Sequence, residues 1–578
     1  MQRLYTSRAK SWIDKLAVDN EPGLTTAQLM LTNHDLKPVE PARRQWGPWN
    51  YVGFWIADSF NINTWMVSST SILMGLSWWQ AWLSVWVGYT IAGIFVTLNG
   101  RAGATYHIGF PVVNRSSFGV WGSLWPVLNR AVLAAFWYGV QAYIGGHCVY
   151  LMIRSIWLSW DRTTIPNSFP PNAGTTTADY ASFFIFWLVS LPAIWFPVHK
   201  IRHLFTVKAY FVPTAGMAFF IWALVRAGGV GPIVHQKATV SGSVLAWAFV
   251  KGVMSSIATF ATLIVNDPDF ARFAGKPRDA IWSQLLTIPI GFAVTSFVGI
   301  FVTSSAVIIY PGSEPIWDPL DLLERFIADG GSAQRFGVFI IALAFALAQL
   351  GTNIAANSVS AGSDFTALMP RFLNIRRGGF LCAAIGLALC PYQFLSSASN
   401  FANYLSAYTV FLSSIGGVMI CDYYLVRRGY LKVKELYDAR KSGSYYFAYG
   451  VNWRAYAGYL AGILVNIVGF VGAVNGGKVP IGATYIFNVN YFAGFVVSGA
   501  VYWVVCRLSP MPACSERWME VHDQVDGEVS LAYDDDESGS VDGKASSGGY
   551  ASASKGSSGE IDEEAALPEP PSQSSFRI

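Results

Sequence analysis

Charge is scarce in this 578-residue sequence. Asp, Glu, Lys and Arg supply only 13% of it, against about 25% in a typical soluble domain. That shortage excludes an ordinary water-soluble protein. Histidine is rarer still, at seven residues. No HExxH, Ser/His or paired-carboxylate constellation falls within an apolar stretch, which argues against an embedded enzyme. The six cysteines, Cys148, Cys382, Cys390, Cys421, Cys506 and Cys514, form no CxxC pair. Most lie in or at the ends of apolar stretches and read as small buried thiols, not as metal ligands or a disulfide framework. No metal, cofactor or nucleic-acid partner is expected, and the net charge is only +4. No cleavable leader is visible at the polar N-terminus, so the first apolar span is expected to insert as a true helix.

What the chain has is apolar length. It is 53% hydrophobic and 15% aromatic, with a mean hydropathy of +0.37. About twelve spans approach the ~20 residues that a helix needs to cross a bilayer. They run over 49–73, 76–98, 119–153, 181–198, 204–226, 244–266, 281–309, 336–368, 379–397, 399–424, 454–474 and 488–507. An all-α integral membrane protein follows. Residues 1–48 read as an N-terminal tail and 509–578 as a disordered C-terminal tail, acidic at Asp534–Glu537 and then rich in Ser, Gly and Pro. Such tails suit trafficking or ubiquitylation machinery. Basic residues gather after every even-numbered span, among them Arg101, Arg115, Lys200, Arg202, Lys208, Arg272, Arg376 and Arg427. The positive-inside rule therefore predicts both termini in the cytosol. The sequon Asn114-Arg115-Ser116 falls on a cytosolic segment and is read as chance.

Two spans are interrupted by small and polar residues: Asp58-Ser59-Phe60-Asn61-Ile62-Asn63-Thr64 in the first, and Ser255-Ser256-Ile257-Ala258-Thr259 in the sixth. Non-helical backbone at membrane depth survives only where it lines a protected cavity. A matched pair of broken spans points to a transporter with its ligand near the midplane. In span three, Trp137 and Gln141 stand i, i+4 on one helix face. A flat ring beside an amide suits a planar heterocycle with C=O and N–H edges, although packing alone would also explain the pair. In span eight, Asn353 and Asn357 repeat that spacing, where amides also serve as glue between helices. Asp58, Lys251 and Asp364 are ionisable groups inside spans, expected to act in proton coupling. For Lys251, near its span's end, snorkelling to the interface is the alternative; for Asp364, near the cytosolic end of span eight, a plain interface position is the alternative.

Taken together, these motifs resemble the nucleobase–cation symporter-1 family, in its fungal uracil/allantoin permease branch. The residues that carry the likeness are Trp49-Asn50 and Phe54-Trp55, the Asp58–Met66 stretch, Trp137–Gln141, Asn266-Asp267-Pro268-Asp269-Phe270-Ala271-Arg272, and Gly351–Asn357 with Ser360-Ala361-Gly362. The resemblance implies a leucine-transporter-like fold: spans one to five and six to ten as inverted repeats, plus two extra helices. It implies a stacking Trp at Trp137 with amide partner Gln141, a second aromatic at Phe260, an eighth-helix amide at Asn357, and a polar contact from Asn61 or Asn63. Tyr404, Leu405 and Tyr408 of span ten would gate the cavity, with ordinary aromatic packing as the alternative. Sodium-using relatives carry two adjacent hydroxyls on span eight. Here the pair is Gly351-Thr352, which leaves Thr352, with Ala57 and Phe60, as the remnant of a cation site and favours protons.

The expected activity is therefore uracil uptake by proton symport at the plasma membrane. Allantoin, uric acid or uridine are the alternative cargoes, and a transport-derived nutrient sensor is the alternative role.

Overall fold

The computed structural model describes residues 17–18, 24–196, 198–312 and 316–521. Among them the chain is helical and forms no strand. A short helix α1 (Thr26–Leu31) precedes the first span, which is split into α2 (Pro48–Ser59) and α3 (Ile62–Leu73). Then come α4 (Trp78–Tyr106), α5 (Phe110–Phe118), α6 (Leu124–Ile156), α7 (Thr177–Trp195) and α8 (Val198–Arg226). The sixth and seventh spans are α9 (Gly242–Asn266) and α10 (Pro277–Ile309). An amphipathic α11 (Pro319–Asp329) leads into α12 (Ser332–Thr352), which runs through a π-helical stretch, Asn353–Val359, into α13 (Ser360–Leu368). The rest is α14 (Ile375–Ala388), α15 (Ala398–Cys421), α16 (Trp453–Asn475), α17 (Ile481–Asn488) and α18 (Asn490–Leu508).

Nine of the described helical segments are long and apolar enough to cross a membrane. The other three expected spans are helical too, with visible reasons for differing. The first is cut in two, the third (α6) is diluted by Trp, Tyr, Gly and Arg, and the ninth (α14) has only 14 residues. Helices α4, α9 and α10 pack around the broken α2–α3 pair, while α6 gathers α7, α12, α13 and α14. The second group closes tightly where α6 meets α14. A Cβ on Gly139 would stand 2.5 Å from the Gly386 carbonyl, so only glycine permits that backbone approach.

One expected feature fails. Span six is not broken: α9 is continuous through Ser255–Thr259. Its hydroxyls bond back to the preceding turn, Ser256 Oγ to Gly252 O at 3.2 Å and Thr259 Oγ1 to Ser255 O at 2.8 Å. Such back-bonding satisfies a hydroxyl in lipid without unwinding the helix.

The tails are also better tethered than their composition implies. Arg115, counted above as a loop cation, is buried and donates to the carbonyls of Met30, Leu31 and Leu436. The sequon is buried with it, and Asn114 donates to Ser123 O. Residues 509–521 are not a free tail. Arg427 binds the carbonyls of Pro512 and Ala513, Trp518 stacks on Tyr424 at 5.5 Å, and Glu520 takes a bidentate pair from Arg101. The remainder of the acidic tail lies outside the described residues.

Candidate functional site

The break in the first span is built by Asn61. Phe60 leaves helical geometry (φ −80°, ψ 75°) and Asn61 is extended (φ −142°, ψ 160°). The Asn61 Oδ1 accepts the Thr64 N–H at 3.0 Å and caps α3, a standard use of Asn. Its Nδ2 donates to Asp58 O at 2.5 Å. Both ends of the Asn61 amide are thus committed to the break. Asn63 is different: it is buried and its Oδ1 has no hydrogen-bond partner among the described residues.

Trp137 and Gln141 of α6 are buried, and Gln141 Oε1 is likewise unpartnered. Native interiors rarely leave such atoms unpaired, and where they do the group calls for an explanation. The π-helical stretch faces α6. Asn353 Nδ2 donates to Tyr138 O at 3.1 Å, and Asn357 Nδ2 donates to Asn353 Oδ1 at 3.0 Å. A π-bulge of this kind is frequent at functional positions. One turn earlier in the same i, i+4 column stands Gln349, fully buried with both amide atoms unpartnered. The sequence reading missed it, although extending the Asn353/Asn357 spacing backwards would have found it.

The aromatic side chains expected to wall a cavity pack against one another and against their neighbours. Phe260 is buried, but its rings of contact are Trp55 (stacked, 5.5 Å), Tyr89 (5.4 Å) and Phe292 (4.8 Å). Trp137 meets Tyr408 edge-on at 6.2 Å. Tyr408 also donates from its hydroxyl to Ala258 O at 2.7 Å, two residues before Phe260. This side chain of α15 therefore ties the α6 wall to the α9 wall. Leu405 is buried beside it, while Tyr404 is more exposed and packs edge-on against Phe394 at 4.3 Å.

The charges redistribute. Lys251 is exposed on α9 and takes no place in the buried set. Asp364 is fully buried, but it is paired to buried Arg130 of α6 at 2.6 Å. Among the described residues the buried lysine is Lys208, which the sequence reading assigned to a basic loop. It lies inside α8, and its Nζ donates to Thr352 Oγ1 at 2.6 Å. Asp58 is within its coulombic reach. Ala57 is buried and Phe60 half-buried at the adjoining break. The Gly351 departure now has a physical reading: a Cβ there would stand 2.9 Å from Lys208 Cδ. Glycine makes room for the lysine stem, and the ammonium sits on the one hydroxyl that remains.

The Asn266–Arg272 motif is a junction. Trp55 Nε1 donates to Gln284 Oε1 (2.8 Å), Gln284 Nε2 to Asp267 Oδ2 (3.0 Å), and the Phe110 N–H to Asp269 Oδ1 (2.9 Å). It locks α2, α5 and α10 together. At the far end of α6, His147 is surrounded by Asp318, Asp321 and Glu324 of the α11 segment and by Arg162. Burial and the neighbouring Asp318 push the Asp321 carboxyl up to about 6.

Comparison with known proteins places these features. The pattern described as "Permease for cytosine/purines, uracil, thiamine, allantoin" matches residues 38–494. A permease of Schizosaccharomyces pombe is 53% identical over 506 residues, covering 87% of this chain and 85% of the relative. The allantoin permease of Saccharomyces cerevisiae is 44% identical over 549 residues (91% and 86%). The uracil permease of the same yeast is 44% identical over 521 residues (87% and 81%). Among solved structures, Mhp1 in its inward facing conformation superposes with a TM-score of 0.66 at 22% identity, covering 84% of this chain and 96% of Mhp1. The leucine-transporter-like architecture is therefore the fold of this chain.

Proposed function

Because the chain belongs to the nucleobase–cation symporter-1 family of membrane transporters, we propose that it is a plasma-membrane symporter that imports uracil together with a proton. The observation that carries the substrate reading is a pair of buried, unbonded acceptors, Gln141 Oε1 and Asn63 Oδ1. Uracil offers alternating C=O and N–H groups on a flat ring, so it can supply each missing partner. Trp137 would stack the ring, Asn357 and Gln141 would read its edge, and Phe260 would lend its wall through Tyr408. Tyr404, Leu405 and Tyr408 would gate the cavity as α15 moves against the broken first span. Allantoin and uric acid share the edge pattern. Uridine would need room for a ribose.

The coupling reading rests on Lys208. A sodium ion needs several oxygen ligands, and here an ammonium already engages Thr352 while Gly351 offers none. Asp58, half-buried and beside that charge, is the favoured proton carrier. Asp364 is a weaker candidate because Arg130 holds it. The basic ends of the even-numbered spans support cytosolic termini, and this survives the removal of Arg115 and Lys208 from the count.

The test is uptake of labelled uracil in a transport-null cell, with unlabelled allantoin, uric acid and uridine as competitors. Uracil should compete best. Uptake should rise toward about pH 5, collapse with a protonophore and ignore replacement of sodium by choline. Sodium-dependent uptake that persists with the protonophore would overturn the coupling.

A further inference from the structure

Beside the basic ends of α4 and α10 lies a cavity of about 600 Å³, lined by Arg101, Lys276, Arg278, Glu520, Ile281 and Trp282. Three cations face one carboxylate there. That carboxylate is already engaged: Arg101 Nε and Nη2 bind Glu520 at 2.7 and 3.0 Å, and Tyr423 donates to it at 2.7 Å. Arg101 is further held over the Trp518 ring at 5.2 Å. Lys276 and Arg278 are exposed at the start of α10. The cavity thus presents two available positive charges on a floor fixed by a third.

The second observation is what adjoins it. From Trp282 at the rim, the exposed face of α10 continues through Leu286, Ile290 and Val294. These four stand at i, i+4, i+8 and i+12, a single apolar stripe three turns long. Twelve residues of helix rise about 18 Å, slightly more than the depth of one hydrocarbon leaflet. Trp at the junction of a basic pocket and an apolar stripe is the arrangement found at a membrane interface.

We propose that this is a binding site for an anionic phospholipid, its phosphate-bearing headgroup between Lys276 and Arg278 and one acyl chain along the Trp282–Val294 stripe. Basic pockets at helix ends commonly take such headgroups. The acidic C-terminal segment is a rival occupant by charge, but a peptide carboxylate has no use for the apolar stripe. The inference is independent of which heterocycle is carried and of what ion drives it.

The full-length protein is reconstituted in phosphatidylcholine nanodiscs containing a photoactivatable phosphatidylserine. Crosslinks are mapped by peptide mass, and lipid retention is measured by native mass spectrometry. The label should fall on the peptide spanning 276–294. Lys276→Gln/Arg278→Gln should lose it and weaken retention about 30-fold, at roughly fivefold per charge. The charge-conserving Lys276→Arg/Arg278→Lys should keep both. A Leu286→Ser/Ile290→Ser variant should weaken phosphatidylserine but leave inorganic phosphate competition unchanged. Equal retention by the neutralised pair, or labelling elsewhere, overturns the site. Complete displacement by inorganic phosphate makes it a small-anion site and also overturns it. Labelling that appears only when Asp534–Glu537 are replaced by Asn and Gln assigns the cavity to the tail, with the same result.

Discussion

Gly351 and Lys208 should behave as one unit. Consider Gly351→Ser. The added Cβ would stand 2.9 Å from Lys208 Cδ, several tenths of an ångström inside ordinary contact. The lysine stem must move, and its bond to Thr352, 2.6 Å long, moves with it. Overpacking of this kind costs about 1–3 kcal/mol. Lys208→Ala removes the charged hydrogen bond, worth about 1.5–3 kcal/mol, and leaves Asp58 without its counter-charge. The double variant is the informative one. With the lysine gone the serine has space, so the steric cost vanishes and the two effects fall short of additivity by about 1–3 kcal/mol. Surface abundance and heat resistance of the detergent-solubilised protein report this. Gly351→Ser and Lys208→Ala should each lower both, and the double should sit well above their combined loss. The double also restores two adjacent hydroxyls on α12, so its residual uptake should become sensitive to sodium. Strictly additive losses, or a Gly351→Ser protein indistinguishable from wild type, would refute the reasoning.

Other outcomes are expected at independent sites. Trp137→Ala should weaken uracil uptake affinity about 5- to 150-fold at normal surface abundance, through loss of about 1–3 kcal/mol of stacking, with partial retention by Trp137→Phe in competition assays. Gln141→Asn should reorder the competing heterocycles; identical competition profiles would remove Gln141 from the site. Asp364→Asn should abolish surface delivery, because it strands buried Arg130 at a cost of about 3–5 kcal/mol, and Arg130→Met/Asp364→Leu should recover part of it. Asp321, pushed up to about 6, binds its proton more tightly here than in the unfolded chain. The arrangement around His147 is therefore favoured as pH falls from about 6 toward 4, and lost as pH rises through about 6. Amide exchange of α11, corrected for intrinsic rate, should speed up over that rise, and Asp321→Asn should flatten it.

Much of this was legible in the residue order. The spans were, because about twenty apolar residues in a row have few alternatives. So was the break at Phe60–Asn61, where an Asn could cap a new helix. The break at Ser255–Thr259 was misread because the same residue types can instead bond back one turn and leave the helix intact. Partnerships across the chain were not legible. Arg130 finds Asp364 across 234 positions, and nothing local distinguishes Asp364 from a free carboxyl. Lys208 looked like one more loop cation until the glycine opposite it was seen to be its complement. Asp422, with bonds from Ser116, Ser117, Tyr502 and Arg427, drew no notice because each partner is unremarkable alone.

The lysine at Thr352 also bears on which gradient can do work. A dissolved cation arrives with its cargo and departs with it, so it delivers energy on each cycle. An ammonium carried covalently on the Lys208 side chain does neither, and a sodium gradient has no handle on it. On the coupling proposed above, the gradient left to drive uptake is that of protons. With a pH difference of about 2 and a potential of about 100 mV, one proton carries about 2.7 plus 2.3 kcal/mol. A carrier moving one proton per molecule could then hold its cargo about 5,000-fold more concentrated inside than out. That ceiling would fall with external alkalinisation, however much salt surrounded the cell.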